Sequence, residues 1–213
     1  LYDSGLRVPM IVAWPDDRRA GTIASTLFSF VDLAPTAFSL AGIDLPDFLQ
    51  GQAILGEQAA PPRDYVFAAS DRLDGIYARI RAARDGRFKY LRNFYPERQY
   101  YLPVTYREQM NAMQSLLKGR DAGTLTDAQS QWFRKTKPTE ELFDTKNDPH
   151  DLFNLAGDPA YAAKMAELST AMDAWLAEVG DLGGVNEIEL VQRFWNGEDE
   201  MPTTGRPQLR RDS

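Results

Sequence analysis

Residues 76–94 read IYARIRAARDGRFKYLRNF, and this stretch decides the fold. Isoleucine and aromatic residues are interspersed with arginines over residues 76–84, and a similar run covers 87–94. Between the runs lies Asp85-Gly86, a dipeptide typical of a two-residue type I′ hairpin because both residues tolerate positive φ. The stretch therefore predicts two antiparallel strands joined by a tight turn.

The register of this hairpin places arginines together. With a two-residue loop, Arg79 lies directly opposite Arg92 on one face, and Arg81 lies beside them on the same face. Like charges opposite each other cost roughly a few tenths of a kcal/mol or more. We therefore expect an acidic group nearby, and two sources stay open: an anionic substrate, or internal carboxylates such as Glu140-Glu141 and neighbouring aspartates. Internal pairing is the commoner arrangement of charged faces.

Helix and strand signals flank the hairpin on both sides. The longest helix is predicted after Asp158, which suits an N-cap, with Pro159 in its first position and Gly180 at its end. Its apolar stripe is Tyr161, Met165, Leu168, Met172, Trp175 and Val179. The remaining predicted elements are strands over residues 7–14, 65–68 and 142–143, and helices over 32–42, 106–118, 126–133 and 187–195.

The composition excludes several classes of protein. The 213 residues carry a formal charge of −7, which argues against nucleic-acid binding driven by phosphate neutralisation. No apolar run is long enough to cross a bilayer, and any signal peptide is expected outside this chain. With no Cys and one His, His150, neither a thiolate nucleophile nor a zinc site is expected within this chain.

Several separated blocks, in this order and spacing, resemble the C-terminal portion of sulfatases of the alkaline-phosphatase superfamily. They cover most of the chain to about Asp181 and lie at residues 1–9, 31–36, 40–43, 50–51, 87–93, 140–144, 148–149 and 154–156. Most of these blocks contain turn and cap residues, so an architectural role is expected for them. The resemblance implies an α/β enzyme of which this chain is the α+β part.

The implied fold is a small antiparallel sheet packed by a long C-terminal helix, preceded by a strand and helix of a larger α/β domain. The predicted division has three parts. Residues 1–62 are the end of the main sulfatase α/β domain, 63–181 are the sheet-and-helix subdomain, and 182–213 are an irregular arm.

The resemblance also implies a reaction, the hydrolysis of sulfate esters, and two cofactors. Sulfatases attack with a formylglycine made from a Cys or Ser, and a calcium ion polarises the sulfate. This chain has no Cys and no Ser in the required Pro- and Arg-containing motif, and its Asp16-Asp17 doublet is expected in a turn. No catalytic residue and no metal ligand is therefore assigned here. Calcium and formylglycine are expected in a preceding N-terminal portion, which is the expected partner.

Four residues are predicted to contact the substrate, a small-molecule or glycan sulfate ester. Asp71, Arg72 and Asp74 lie in a predicted polar loop after a strand, where Arg72 could grip a sulfate and the aspartates could accept sugar hydroxyls. Arg81 belongs to the arginine face of the hairpin. For each, an ion pair that merely orders the turn or the sheet stays an alternative.

Two other functions stay open at this point. The chain could be a non-catalytic module that packs on a partner or binds anionic glycans. It could also belong to a relative that hydrolyses a phosphodiester or phosphonate, since the nucleophile motif that distinguishes these esters is not in this chain. The family resemblance is compatible with a periplasmic or secreted location.

Overall fold

The computed structural model of the chain describes residues 1–16, 18–73 and 76–194. Its centre is a four-stranded antiparallel sheet in which neighbouring strands are consecutive in the chain. The strands are β1 (Val66–Leu73), β2 (Ile76–Arg84), β3 (Phe88–Asn93) and β4 (Glu140–Asp144). The predicted small antiparallel sheet is therefore confirmed, with β1 and β4 at its edges.

The described part of the chain also contains seven α-helices. They are α1 (Asp3–Leu6), α2 (Leu33–Leu40), α3 (Thr105–Glu108), α4 (Asn111–Ala122), α5 (Asp127–Ser130), α6 (Ala162–Val179) and α7 (Glu187–Phe194). Short 3-10 turns precede α2, follow α5 and lead into α6. None of the described helices is long and apolar enough to cross a membrane.

The long helix α6 begins and ends as the sequence predicts. Asp158 Oδ1 accepts a hydrogen bond from the backbone N–H of Ala160 at 2.9 Å, and Gly180 adopts a positive φ of 61° after the last turn. Leu168 and Met172 are fully buried, so the middle of the predicted apolar stripe is core, whereas Val179 at its end is 39% exposed. The packing of this helix on the sheet begins with Tyr161, whose ring centroid lies 5.9 Å from that of Phe88 in β3.

Contacts divide the chain into two compact units. The first unit comprises Leu1–Ala68, Ala82–Tyr90 and Leu142–Met172. The second unit comprises Ala69–Arg81, Leu91–Glu141 and the residues from Asp173 onward. The three-part division predicted from the sequence stays a prediction, and Asp17 and most of the predicted arm, residues 195–213, lie outside the described residues.

The first unit contains a buried ionic network centred on Lys89, which is fully buried in β3. Its ammonium group donates to Asp3 Oδ1 at 2.9 Å and to Asp151 Oδ2. Arg84 Nη1 lies 2.5 Å from the other oxygen of Asp3. Burial alone would raise the pKa of Asp3, but the hydrogen bonds from Lys89 and Arg84 outweigh it, and the pKa of this carboxyl lies below its ordinary value.

The hairpin turn differs by one residue from the prediction. Asp85 N donates to Phe88 O at 3.0 Å, and Phe94 N donates to Arg79 O at 3.1 Å, so the two-residue loop is Gly86-Arg87. The Asp85 carboxylate causes the shift, because it accepts hydrogen bonds from the N–H groups of Arg87 and Phe88 at 2.7 and 2.6 Å. Gly86 does not have a positive φ, so the predicted type I′ turn is wrong.

The assignment of side chains to the two faces of the hairpin is nevertheless as predicted. Each residue faces a partner two positions further along the other strand, and side chains on a strand alternate with a period of two. Arg81 now lies opposite Arg92, and Arg79 lies opposite Phe94. The expected arginine face therefore exists with a different set of opposite partners.

The predicted strand over residues 7–14 is wrong, because this segment forms neither a helix nor a strand. Val8, Met10 and Val12 are about half exposed, and Ile11 is 94% exposed. An extended apolar segment needs a neighbouring strand to satisfy its backbone groups, and the described residues provide none there.

The helix predicted over residues 32–42 is confirmed as α2. It does not bury its apolar residues Leu33 and Leu40, however. The buried residues of α2 are Pro35, Thr36 and Ser39. The Thr36 hydroxyl accepts a hydrogen bond from the backbone N–H of Ile54 at 3.1 Å, and the Ser39 hydroxyl accepts one from that of Gln58 at 3.0 Å. Leu33 and Leu40 are about half exposed. A surface helix normally buries its apolar stripe, so the outward face of α2 lacks a partner among the described residues.

Replacing Lys89 by Met tests the buried network. Loss of the ammonium group leaves Asp3 and Asp151 as buried, poorly compensated carboxylates, so we expect the free energy of unfolding to fall by about 3–5 kcal/mol. Urea denaturation at pH 7 measures it. The control is Lys164→Met in α6, since Lys164 also pairs with two carboxylates, those of Asp85 and Glu167, but nearer to the surface. That change should cost less than about 1 kcal/mol, and equal losses in the two variants would contradict the role of Lys89.

Replacing Asp144 by Asn tests the ion pair at the end of β4. Arg87 donates to both carboxylate oxygens of Asp144, at 3.0 and 2.5 Å, and lowers the pKa of Asp144 from 3.8 to about 2. A lowered pKa in the folded state contributes stability above the unfolded value, and this contribution is lost as the pH falls through the folded value. We therefore expect wild type to be more stable than the variant above pH 4, with the difference shrinking toward pH 2. Denaturation across this range checks it, and a pH-independent difference would contradict it.

Candidate functional site

Two of the predicted substrate residues lie in a strand rather than a loop. The sequence predicts a polar link from residue 70 onward, but β1 continues through Leu73 and includes Asp71 and Arg72. An edge strand tolerates polar side chains because one of its faces can remain in water, which explains why this run does not end the strand. Asp74 lies outside the described residues.

Arg81 lies in β2 and is only 1% exposed. Its Nη2 lies 2.8 Å from Asp71 Oδ1 and 2.6 Å from Asp181 Oδ1, while its Nη1 donates to the carbonyl of Ile80 at 2.9 Å. The structure therefore brings together Arg81 and Asp71, two of the predicted site residues. It adds Asp181, which follows the C-terminal end of α6.

Arg79 completes the group from the same face of β2. Its Nη2 lies 2.5 Å from Asp181 Oδ2, and its guanidinium lies over the ring of Phe94 at 3.9 Å from the centroid. We call Asp71, Arg79, Arg81 and Asp181 the arginine cluster. The expected acidic groups near these arginines are found, and for Arg79 and Arg81 they include the neighbouring aspartates Asp71 and Asp181.

Charge compensation determines the ionisation of this cluster. Burial opposes the charge on Asp181, but hydrogen bonds from Arg81 and Arg79 outweigh it, so the pKa of Asp181 lies below its ordinary value. Burial likewise opposes the charge on Arg81, and its hydrogen bonds to Asp181 and Asp71 raise its pKa in spite of it. Both shifts favour the charged forms of Asp181 and Arg81.

Gly183 packs directly against the arginine cluster. The carbonyl of Gly183 accepts a hydrogen bond from the Tyr77 hydroxyl, and its N–H donates to Asp181 Oδ1 at 3.1 Å. A Cβ atom at this position would lie 2.0 Å from Arg81 Nη2 and 2.5 Å from Asp71 Oδ1. Only glycine lets the backbone approach the guanidinium this closely.

Arg72 has its own acidic partner. Its guanidinium forms an ion pair with Glu187, the first residue of α7, and both side chains are partly exposed. The predicted substrate residue Arg72 therefore lies at the surface, whereas Arg81 is buried. Asp71 is intermediate, with 41% of its side chain exposed.

Sequence reasoning missed Asp181, Gly183 and Glu187 as members of this site. The available signal was local: a carboxylate and two glycines, Asp181-Leu182-Gly183-Gly184, directly after the end of a long helix. Such a segment is typical of a close backbone approach. Its target on β1 and β2 depends on contacts about a hundred residues apart, which spacing alone does not reveal.

The described residues of this chain do not fit the cofactors of a sulfatase. The chain has no Cys, and none of its serines stands before a residue and a Pro. In the described ranges no group of three or more His, Cys, Asp or Glu side chains could hold a metal ion. The buried carboxylates Asp3 and Asp151 are bound to Lys89, a cation of the chain itself.

Comparison with known proteins assigns the chain to a family. The family model described as N-sulphoglucosamine sulphohydrolase, C-terminal, matches residues 1–119. An ulvan-active sulfatase from Formosa agariphila is 47% identical over 209 residues, which are 98% of this chain and 35% of that protein. The human N-sulphoglucosamine sulphohydrolase is 25% identical over 199 residues, covering 85% of this chain and 38% of that protein.

Among solved structures, that of a 2-O GAG sulfatase aligns with a TM-score of 0.46 and 23% identity, covering 70% of this chain and 25% of that one. The chain belongs to the sulfatase family and represents its C-terminal portion, as the family model, which matches residues 1–119, shows. It spans only about a third of the length of the curated relatives that it matches.

Replacing Gly183 by Ala tests the close approach. The added methyl group would push apart Arg81 and Asp71, which are held by the buried cluster, so we expect the unfolding free energy to fall by about 1–3 kcal/mol. The control is Gly157→Ala, because a Cβ there meets no atom within 4 Å and the backbone needs no positive φ. Thermal denaturation compares the two variants, and a Gly183→Ala protein as stable as the control would contradict the geometry.

Proposed function

We propose that this chain is the C-terminal part of a sulfatase that hydrolyses sulfate esters of a carbohydrate. The observation that carries the proposal is the 47% identity to an ulvan-active sulfatase over 98% of the chain. A second ulvan-active sulfatase from the same organism matches 87% of the chain at 27% identity. On this basis we infer that the substrate is a sulfated glycan of the ulvan type.

Attack on the sulfur is assigned to a preceding part of the same enzyme. Calcium and formylglycine would be held there, since the sequence lacks the formylglycine motif and the described residues contain no group that could hold a metal ion. When bound, they would supply a nucleophile and a positive charge against the sulfate oxygens. This chain then contributes substrate contacts and the packing that supports them.

Exposed apolar side chains support the existence of such a covering part. Within the first 48 residues, Ile11, Ile23 and Phe48 are 94%, 99% and 80% exposed, and the apolar residues of α2 also face outward. Extensive exposed apolar surface is typical of a surface that another part of a protein covers. We propose that the preceding catalytic part covers residues 7–14 and α2.

The substrate contacts are assigned to Asp71, Arg72, Asp74 and Arg81. Asp71 offers a partly exposed carboxylate that suits sugar hydroxyl donors, and buried Arg81 holds one of its oxygens at 2.8 Å. Arg72 supplies a surface guanidinium that suits a sulfate or carboxylate group. Because successive side chains of a strand point to opposite faces, Asp71 and Arg72 would bind a hydroxyl and an anionic group from different parts of the glycan.

The test uses the enzyme encoded by the complete reading frame that contains this chain. We expect it to release sulfate from ulvan fragments, and Arg72→Gln should lower kcat/KM by about ten- to a hundredfold because a charge-assisted hydrogen bond is lost. Arg120→Gln in α4 is the control, since Arg120 pairs with the adjacent Asp121 at the surface and not with the proposed contacts. Sulfate release is followed by ion chromatography.

Three results bear on the proposal. Absence of sulfate release from ulvan fragments by the complete enzyme would refute the substrate class. Equal activity of the Arg72 and Arg120 variants would refute the contact. Calcium-dependent turnover of an aryl sulfate by the 213-residue chain alone would refute the assignment of catalysis to the preceding part.

A further inference from the structure

Residues 181–187 form a segment, here called the strap, that joins the end of α6 to the start of α7. The strap touches β1 and β2 at three points. Asp181 pairs with Arg79 and Arg81, the carbonyl of Gly183 accepts from Tyr77, and Glu187 pairs with Arg72. Both carboxylates of the strap therefore rest on arginines of the proposed substrate surface.

The strap neutralises a surface that would otherwise be basic. Arg72, Arg79 and Arg81 face three carboxylates, of which two belong to the strap and one, Asp71, belongs to β1. Without the strap, the three guanidinium groups would face a single carboxylate of this set. Such a surface attracts anions, and arginine in particular binds sulfate-like oxygens through paired N–H groups.

The strap is held by side chains rather than by secondary structure. Residues 181–186 belong to no helix or strand, and the internal bonds of the strap include that from Val185 N to Leu182 O at 2.9 Å. The contacts with the sheet that define the strap are two sets of ion pairs and one hydroxyl bond. Breaking these contacts would therefore release the strap without breaking hydrogen bonds between strands.

The arginines retain hydrogen-bonding capacity that the strap does not use. The Nε atoms of Arg79 and Arg81 are buried and have no hydrogen-bond partner among the described residues. A buried unpaired donor is unfavourable and accepts a better partner when one is offered. A sulfate ester presents three terminal oxygens where the Asp181 carboxylate presents two, so it can satisfy more of these donors.

We propose that the strap is an internal ligand of Arg72, Arg79 and Arg81. A sulfated oligosaccharide competes with the carboxylates of the strap for these three arginines. This inference rests on the proposed function, because it specifies how the assigned contacts become available. The strap carboxylates stand where the anionic groups of the glycan bind. Binding then moves the strap away from β1 and β2.

The test measures by calorimetry the binding of a sulfated ulvan oligosaccharide to the complete enzyme that contains this chain, with calcium chelated so that no sulfate is released. The desulfated oligosaccharide serves as a comparison. Glu187→Gln and Asp181→Asn remove the competing charges, so each should bind the sulfated probe about three- to tenfold more tightly than wild type. Asp173→Asn is the matched control. It removes one negative charge from an ion pair with Arg92 in β3 at 2.5 Å, outside the strap.

Hydrogen exchange supplies a second readout. The N–H groups of Gly183 and Val185 are hydrogen-bonded within the strap, and we expect the sulfated probe to speed their exchange while leaving that of β3 unchanged. Circular dichroism verifies that the variants fold. If Asp181→Asn does not fold, Glu187→Gln carries the test, since Glu187 is partly exposed.

The outcomes separate the strap from the proposed function. Suppose that the sulfated probe binds, that Glu187→Gln strengthens this binding no more than Asp173→Asn does, and that exchange in the strap slows. This result overturns the competition and leaves the substrate class intact. No binding of the sulfated probe by any variant overturns both. Tighter binding by the strap variants alone, with faster exchange at Gly183, establishes the competition.

Discussion

The first unit depends on one buried ammonium group. Lys89 is fully buried in β3 and holds the carboxylates of Asp3 and Asp151, which belong to the first helix and to the turn after β4. Three segments far apart in the chain thus share one network of opposite charges. Removing any partner would leave a charge buried without compensation, which is why these positions depend on one another.

This network explains the character of the blocks by which the sequence resembles sulfatases. Asp3 lies in the first block, Lys89 in the block at residues 87–93, and Asp144 in the block at 140–144, where it binds Arg87. Asp148 accepts from the N–H groups of Leu152 and Phe153 and shapes the turn that carries Asp151. The blocks are thus parts of one scaffold, as their turn and cap residues predict.

In the second unit the same kind of compensation occurs nearer to the surface. Arg81 is as deeply buried as Lys89, but the carboxylates that neutralise it differ in exposure: Asp71 is 41% exposed and Asp181 is 14% exposed. A buried guanidinium can therefore hold a carboxylate that solvent and ligands reach. The arrangement separates the buried residue that fixes the geometry from the partly exposed carboxylate of Asp71.

Much of the local structure follows from the sequence by itself. The helix caps at Asp158 and Thr126 and the glycine that ends α6 are predicted from short-range signals, because each rests on hydrogen bonds between residues close in the chain. The strands β2 to β4 are likewise indicated by local patterns of apolar residues. The absence of cysteine excludes a thiol-derived nucleophile in this chain without any structure. The family is recognisable because its scaffold residues occur in a fixed order.

Only the tertiary structure decides the rest. The turn moved to Gly86-Arg87 because the Asp85 side chain binds two backbone N–H groups and Lys164 of α6 at 3.1 Å. Residues 7–14 form no strand because the partner that their apolar pattern requires is not among the described residues. The pairing of Arg81 with Asp181 joins positions a hundred residues apart. Local patterns encode hydrogen bonds and periodicity, whereas the choice of a partner for a charge depends on which distant segments the fold brings within a few ångströms of each other.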